Sequence, residues 1–374
     1  MPKFRFTEIA INSTEKKKPV EEDKFTYIGL EHLDSGTLTV SRWGSDIAPI
    51  GEKLVMKKGD VLFGKRRAYQ KKVGIAPFDG IFSAHGMVLR PREEVITKEY
   101  FPLFISSDYF LNEAIRISVG SLSPTVNWKD LKDLEFTIPS IEEQKRITPL
   151  IWAAIEAKNA YKEQIRCTDD LVKSQFIEMF GNEKEVARLD QLCAHFGDGD
   201  WIESKDQSEE GIRLIQTGNV GNGEYKDKGD KARFISEDTF SRLGCTEVFP
   251  GDILISRLPD PIGRACIIPE MPKSITAVDC TIVRLKSELT PMFFVAFTKT
   301  PAYTSQIDSF TTGSTRKRIS RANLGSILVP VPPIARQNEF VAFAEQSDKS
   351  KFELQQAIEK VDNLIKSLIQ QDNN

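Results

Sequence analysis

A chain that repeats itself has to satisfy one fold twice, and this chain repeats over nearly its full length. The stretch PSIEEQKRI (Pro139 to Ile147) returns as PPIARQNEF (Pro332 to Phe340). Upstream, GSLSPTVNWKDLKDLEFTIP (Gly120 to Pro139) returns as GSTRKRISRANLGSILVPVP (Gly313 to Pro332). Gly120 and Gly313, Leu131 and Leu324, and Gln144 and Gln337 all match at one offset of 193 residues (313 − 120). Further back, LVMKKGDVLFGK (Leu54 to Lys65) answers EVFPGDILISR (Glu247 to Arg257), with Gly59-Asp60 falling on Gly251-Asp252 at an offset of 192. Two halves of about 190 residues each fit the usual size of a domain.

Between the repeated phrases, short β-branched and aromatic runs (KFTYIGL, DVLFGK, MVLRP, EFTIP, RLIQT, DILISR, CTIVRL, SILVPVP) are punctuated by Gly, Pro, Asp and Asn. These predict strands and turns. A helical stretch precedes each GS turn, at Glu99 to Ile117 and at Pro291 to Phe310. After PSIEEQKRI the turn residues nearly vanish. Ser140 with Glu143 forms a capping box for a starting helix; Pro149 predicts a kink or restart, and Gly181-Asn182 a stop. Ile151, Ile155, Tyr161, Ile165, Val172 and Met179 trace a patchy seam. In the second copy Leu354, Ile358, Val361, Ile365 and Leu368 step by four, three, four and three, the a/d spacing of a coiled coil.

Lys158 and its repeat partner Lys351 fall on seam positions. Two readings stand for them: a buried lysine that fixes register, or a side chain that snorkels to water at the helix edge. Helices of roughly 30 to 40 residues are about 45 to 60 Å long. The predicted fold is α+β: two duplicated α/β target-binding domains separated by two long helices packed as an antiparallel coiled coil about a pseudo-twofold axis. The boundaries are 1–140 for the first domain, 141–182 for the central spacer helix, 183–333 for the second domain and 334–374 for the C-terminal spacer helix.

Chemistry is harder to find. No P-loop, GxGxxG after a strand, HExxH or GxSxG occurs, and no Asn-Pro-Pro-aromatic or Asp-Pro-Pro-aromatic run of the kind amino-methyltransferases use. GDGD (Gly197 to Asp200) reads as a turn. His32, His85 and His195 lack metal-ligand spacing, and Cys193 beside His195 cannot complete a tetrahedral site. Asp260, Glu270 and Lys273 faintly suggest a nuclease, but Glu and Lys three apart on a strand point to opposite faces. Five scattered cysteines without a CxxC pair suggest reduced thiols, with neither disulfide nor zinc. No apolar run approaches the roughly 18 residues of a membrane helix, and the N-terminus lacks a signal-peptide core. A soluble, cytoplasmic, non-catalytic chain is expected, with no metal site.

The net charge of −3 disfavours nucleic acid only on average. From Val61 to Phe78 the chain carries Lys65, Arg66, Arg67, Lys71 and Lys72 and no acid. With Tyr69 and Gln70, that loop has the residues to neutralise phosphates and read base edges, although a solvated charged hairpin has the same composition. The second basic run sets Ser314, Thr315, Arg316, Lys317, Arg318 and Arg321 around the repeated GS turn; its first-half counterpart carries Ser121, Ser123, Thr125 and Asn127. Arg257, which ends the run answering Leu54 to Lys65, is counted with these candidate DNA contacts. Shared turn chemistry with divergent side chains is what two copies of one binding scaffold with two targets would show.

Gly64 to Pro91, IPSIEEQKRI, FIEMFGN (Phe176 to Asn182) and VPPIARQNEF, taken in this order and duplicated, resemble the specificity subunit of Type I restriction-modification systems. The resemblance spans essentially the whole chain; Ala335-Arg336 in place of Glu142-Glu143 is a departure that weakens the second helix cap. It implies two target-recognition domains, each reading one half of a bipartite double-stranded DNA site, with the helices setting the gap and docking two modification (methyltransferase) subunits. S-adenosylmethionine and ATP would sit on those and on restriction (translocase and nuclease) subunits, with no cofactor and no membrane partner for this chain. Half-site centres one to two turns apart lie roughly 35 to 70 Å apart, about the length of the helices. DNA binding by the chain alone should be weak and salt-sensitive. A non-DNA-binding assembly adaptor built on a coiled-coil rod is the alternative.

Overall fold

The computed structural model describes residues 2–313 and 317–370. The chain divides into two compact units, Met1–Lys162 with Gln355–Asn374, and Glu163–Leu354.

Among the described residues the two units repeat one sheet topology. In the first, an antiparallel sheet runs in the order Ala10–Ser13, Met87–Pro91, Val61–Phe63, Val73–Ile75. In the second, the order is Cys193–Asp198, Cys280–Leu285, Ile253–Ser256, Ala265–Ile267. Each unit adds a second, mixed sheet containing one parallel pairing, Tyr27–Ile28 with Gly80–Phe82 and Ile212–Ile215 with Ser274–Thr276. Each also has an antiparallel pair that brings the strand before the helix cap beside an N-terminal strand, Lys3–Arg5 with Glu135–Thr137 and Val186–Arg188 with Leu328–Pro330. All eight β-branched runs singled out in the sequence contain a strand. Val61–Phe63 and Ile253–Ser256 are buried throughout, which is why they read as continuous apolar runs.

The helical stretches before the GS turns differ from expectation. Each is two helices, Phe101–Ser106 with Asp108–Arg116, and Pro291–Phe297 with Pro301–Phe310. The break is a cap: Ser107 Oγ accepts from the Phe110 N–H (3.2 Å) and Thr300 Oγ1 from the Tyr303 N–H (3.4 Å). A hydroxyl of this kind starts a new helix by satisfying one of its orphan N–H groups.

The long helices run Ile141–Phe180 and Ile334–Gln370. Ser140 Oγ caps the first through the Glu143 N–H (3.2 Å), while the Glu143 carboxylate turns forward to Arg146, so only the Ser140 half of the expected box is observed. The helix also continues through Pro149 where a kink or restart was expected. Buried Ile147 and Ile151 on either side anchor the turn that lacks one hydrogen bond.

Within each unit the two helix segments pack in opposite directions. In the first, Ile151 and Ile155 join Ile365 and Ile369 in one apolar cluster, and Lys158 pairs with Asp362. In the second, Lys351 pairs with Asp169 and Asp348 (both 2.7 Å), and Phe176 packs on Phe293 and Phe340 with ring centroids 4.9 and 5.2 Å apart. The seam lysines are thus partly buried and ion-paired. Lys158 and Lys351 are related by the repeat offset, as are their partners Asp169 and Asp362, so the two ion pairs are copies of each other.

Candidate nucleic-acid interface

The repeated phrases fold into repeated clamps. Gln144 and Gln337 are both fully buried. Gln144 Oε1 accepts from the Thr97 N–H (2.7 Å), and its Nε2 donates to the carbonyls of Val95 (2.9 Å) and Pro139 (2.8 Å). Gln337 makes the same three bonds, from the Thr290 N–H (2.9 Å) and to the carbonyls of Glu288 and Pro332 (both 2.8 Å). A buried amide with all these groups satisfied ties each helix start to its own sheet domain. The Gly-Asp pairs are a second clamp. Asp60 accepts two bonds from Arg90 (2.7 and 2.8 Å) and Asp252 two from Arg284 (2.8 and 2.7 Å), each carboxylate also capping its own turn through the N–H of Lys57 or Phe249.

On this frame the structure joins two segments that lie about fifty residues apart in sequence. The basic loop after Val61–Phe63 and the hairpin at 119–125 form one surface. The Val126 N–H donates to the Lys65 carbonyl (3.0 Å), the Arg67 N–H to the Pro124 carbonyl (2.7 Å), and Arg67 Nε to Ser123 Oγ (3.4 Å). Arg66 bridges Thr125 through its backbone, and its Nη1 lies 3.5 Å from His85 Nε2. Arg66, Arg67, Tyr69 and Ser121 are exposed; Lys65, Gln70, Ser123, Thr125 and Asn127 are half-buried. Burial, with Lys16 nearby, pushes the Lys65 ammonium below its ordinary value. Arg67 (φ 54°) and Lys71 (φ 50°) flank the turn Ala68–Gln70 in left-handed conformations that non-glycine residues seldom adopt. Lys71 and Lys72 serve the fold: Lys71 Nζ binds Asp108 (2.6 Å) and Lys72 Nζ the Leu30 carbonyl (2.6 Å). Hydrogen bonding from Lys71 holds the Asp108 carboxyl below its ordinary range.

The second unit repeats the joint, with the Ile319 N–H donating to the Arg257 carbonyl (3.3 Å). Arg257, one of the candidate DNA contacts, is buried, with only 4% of it exposed. Its Nη2 donates to the Val278 carbonyl (2.7 Å) and its Nε lies 3.5 Å from Asp198, whose other oxygen is 3.8 Å from Arg321. Arg257 therefore braces the turn from beneath. Lys317, Arg318 and Arg321 are exposed, with Thr312 and Arg318 exchanging backbone bonds (both 3.0 Å). Ser314, Thr315 and Arg316 lie outside the described residues. Sequence reasoning missed Asp198 and His85, which carry no local signal and acquire their neighbours only through long-range pairing. Among the described residues no group of His, Cys, Asp and Glu is placed to hold a metal, and no helix is long and apolar enough to cross a membrane.

The fold and the joint together define a duplicated α+β protein in which the turn after a central sheet strand is bonded to the segment after the GS turn in each half. The chain belongs to the family described as Type I restriction modification DNA specificity domain, whose model matches residues 6–166 and 182–361. It is similar to the EcoDI specificity subunit of Escherichia coli, 25% identical over 38% of this chain, a match that spans 32% of that relative. It also resembles the EcoKI specificity subunit of Escherichia coli K12, 23% identical over 86% of this chain and 74% of the relative. A chain from a solved structure concerned with complex assembly and conformational transition of the type I restriction-modification system shares the fold. Its TM-score is 0.56, at 19% identity, covering 99% of this chain and 97% of that one.

Proposed function

We propose that this chain is the DNA sequence-recognition subunit of a Type I restriction-modification complex, with 1–140 and 183–333 as target-recognition domains that each read one half of a bipartite site. The observation that carries the reading is the joint, built twice on one duplicated scaffold with its cations placed differently, on the loop after Val61–Phe63 in the first half and on the GS turn in the second: a shared frame holds both, and the divergent residues choose the bases. Arg66, Arg67, Tyr69, Gln70 and Ser121 serve the first half-site, and Lys317, Arg318 and Arg321 the second, together with Ser314, Thr315 and Arg316. The two long helices, 141–182 and 334–374, set the gap and dock two modification subunits. S-adenosylmethionine and ATP belong to the partner subunits, and this chain contributes recognition without catalysis. With few unspent cations on each turn, the chain alone binds DNA weakly and in a salt-sensitive way.

Single-molecule sequencing of methylated adenines, with and without an intact copy of this chain, tests the reading. Loss of one bipartite motif supports it. An unchanged methylome, or partners that include no methyltransferase, favours an assembly adaptor instead.

A further inference from the structure

A single exposed leucine is ordinary on a protein surface. Leu122 is not simply exposed. It is 90% accessible at the tip of the 119–125 hairpin, with Val119 66% and Tyr69 54% accessible nearby in the same joined surface. The hairpin is a tight loop closed by a single antiparallel bridge, the Val119 N–H to the Thr125 carbonyl (3.0 Å) and the Thr125 N–H to the Val119 carbonyl (2.9 Å), with Gly120 at φ 119° in the turn. Its far arm, at Ser123 and Pro124, is bonded to Arg67 through both backbone and side chain. An apolar tip is thus held at a fixed offset from two exposed guanidinium groups.

We propose that Leu122 is a specificity-determining residue that contacts the 5-methyl group of a thymine in the major groove of the half-site taken by the first domain. The inference rests on the DNA-recognition reading above. The major groove is wide enough for a helix or a two-stranded ribbon and so for this loop tip, and the thymine methyl is the apolar group that base pairs present there. Arg66 and Arg67 supply the phosphate and guanine chemistry beside it, while the neutral serines on either side of Leu122 leave the tip itself without charge. Thr315 stands at the repeat-related position in the second half, so the two halves differ in sequence at this point.

The test uses the chain assembled with its modification subunits and duplexes carrying the bipartite site read from the methylome, with each thymine of the first half-site replaced in turn by deoxyuridine. Removing one methyl should weaken the wild-type complex by about threefold to tenfold at one position. Leu122→Ala should lose a similar factor on the unmodified duplex and nothing further on the uracil duplex. The inference is overturned if uracil is silent at every position for the wild type, or if the two losses simply multiply. A Leu122-dependent rise in 2-aminopurine fluorescence without a uracil effect also overturns it, by making the residue an unstacking wedge. The uracil series on wild type needs no variant to fold. If the wild-type complex does not prefer the site over a scrambled duplex, the recognition reading itself has failed, whereas site preference without coupling removes only this inference.

Discussion

Replacing Gln144 by leucine keeps the volume and removes the clamp. The Thr97 N–H then loses its acceptor, and the carbonyls of Val95 and Pro139 lose a shared donor, at a residue with no solvent exposure. An unpaired buried polar group costs about 1 to 3 kcal/mol. Carbonyls with a second lone pair suffer less, so the local cost should be roughly 3 kcal/mol, set against a domain stability of about 5 to 15 kcal/mol. A two-unit chain has no single unfolding free energy, so the assay is native-state amide exchange by mass spectrometry on peptides covering Thr97 and Thr290. The Thr97 amide should exchange on the order of 100-fold faster in Gln144→Leu while Thr290 stays near wild type, and Gln337→Leu should reverse the pattern. Gln144→Glu keeps an acceptor for Thr97 but aims an anion at two carbonyls. Its carboxyl should therefore resist ionisation, and its defect should deepen as pH rises above the ordinary carboxyl range. Unchanged protection at Thr97 in Gln144→Leu would refute the clamp as the joint between sheet and helix.

Asp60→Asn and Asp252→Asn should each cost about 1 to 3 kcal/mol locally, because a bidentate arginine keeps its charge and loses its partner; denaturant titration followed by exchange would locate the loss in the matching unit. Arg66→Ala with Arg67→Ala should relax recognition of one half-site, and Arg316→Ala with Arg318→Ala the other; equal loss at both halves in the methylome counts against separate readers. Lys71 holds the folded Asp108 carboxyl below its ordinary 3.8, so that contribution is present above 3.8 and lost as pH falls through the lower folded value. Exchange of the Ala68 to Lys71 amides should rise over that acid range in wild type, and Asp108→Asn should remove the dependence.

The duplication, the strand positions and the two long helices were legible because each leaves a local mark: a β-branched run, a cap, a step of three and four. The helix breaks were not, since Ser107 and Thr300 read as helix-tolerated residues until their hydroxyls are seen capping. Half of the candidate site was legible as composition, the clustered cations of the loop and the GS turn. Their fusion was hidden, because Lys65 and Val126 or Arg257 and Ile319 meet only through the tertiary fold. The same distance effect hid the burial of Arg257: a basic residue at a strand end looks fully available until Asp198 and the Val278 carbonyl are found beside it.

The glutamine clamp has a consequence for how such a chain can change. On the sheet side it grips only main-chain atoms, and the residue whose carbonyl it holds is Val95 in one half and Glu288 in the other. An apolar and an acidic residue serve that bond equally well. The coupling is therefore blind to the lettering of the domain it fastens, and a lineage can rewrite what a domain reads while the fastening stays the same.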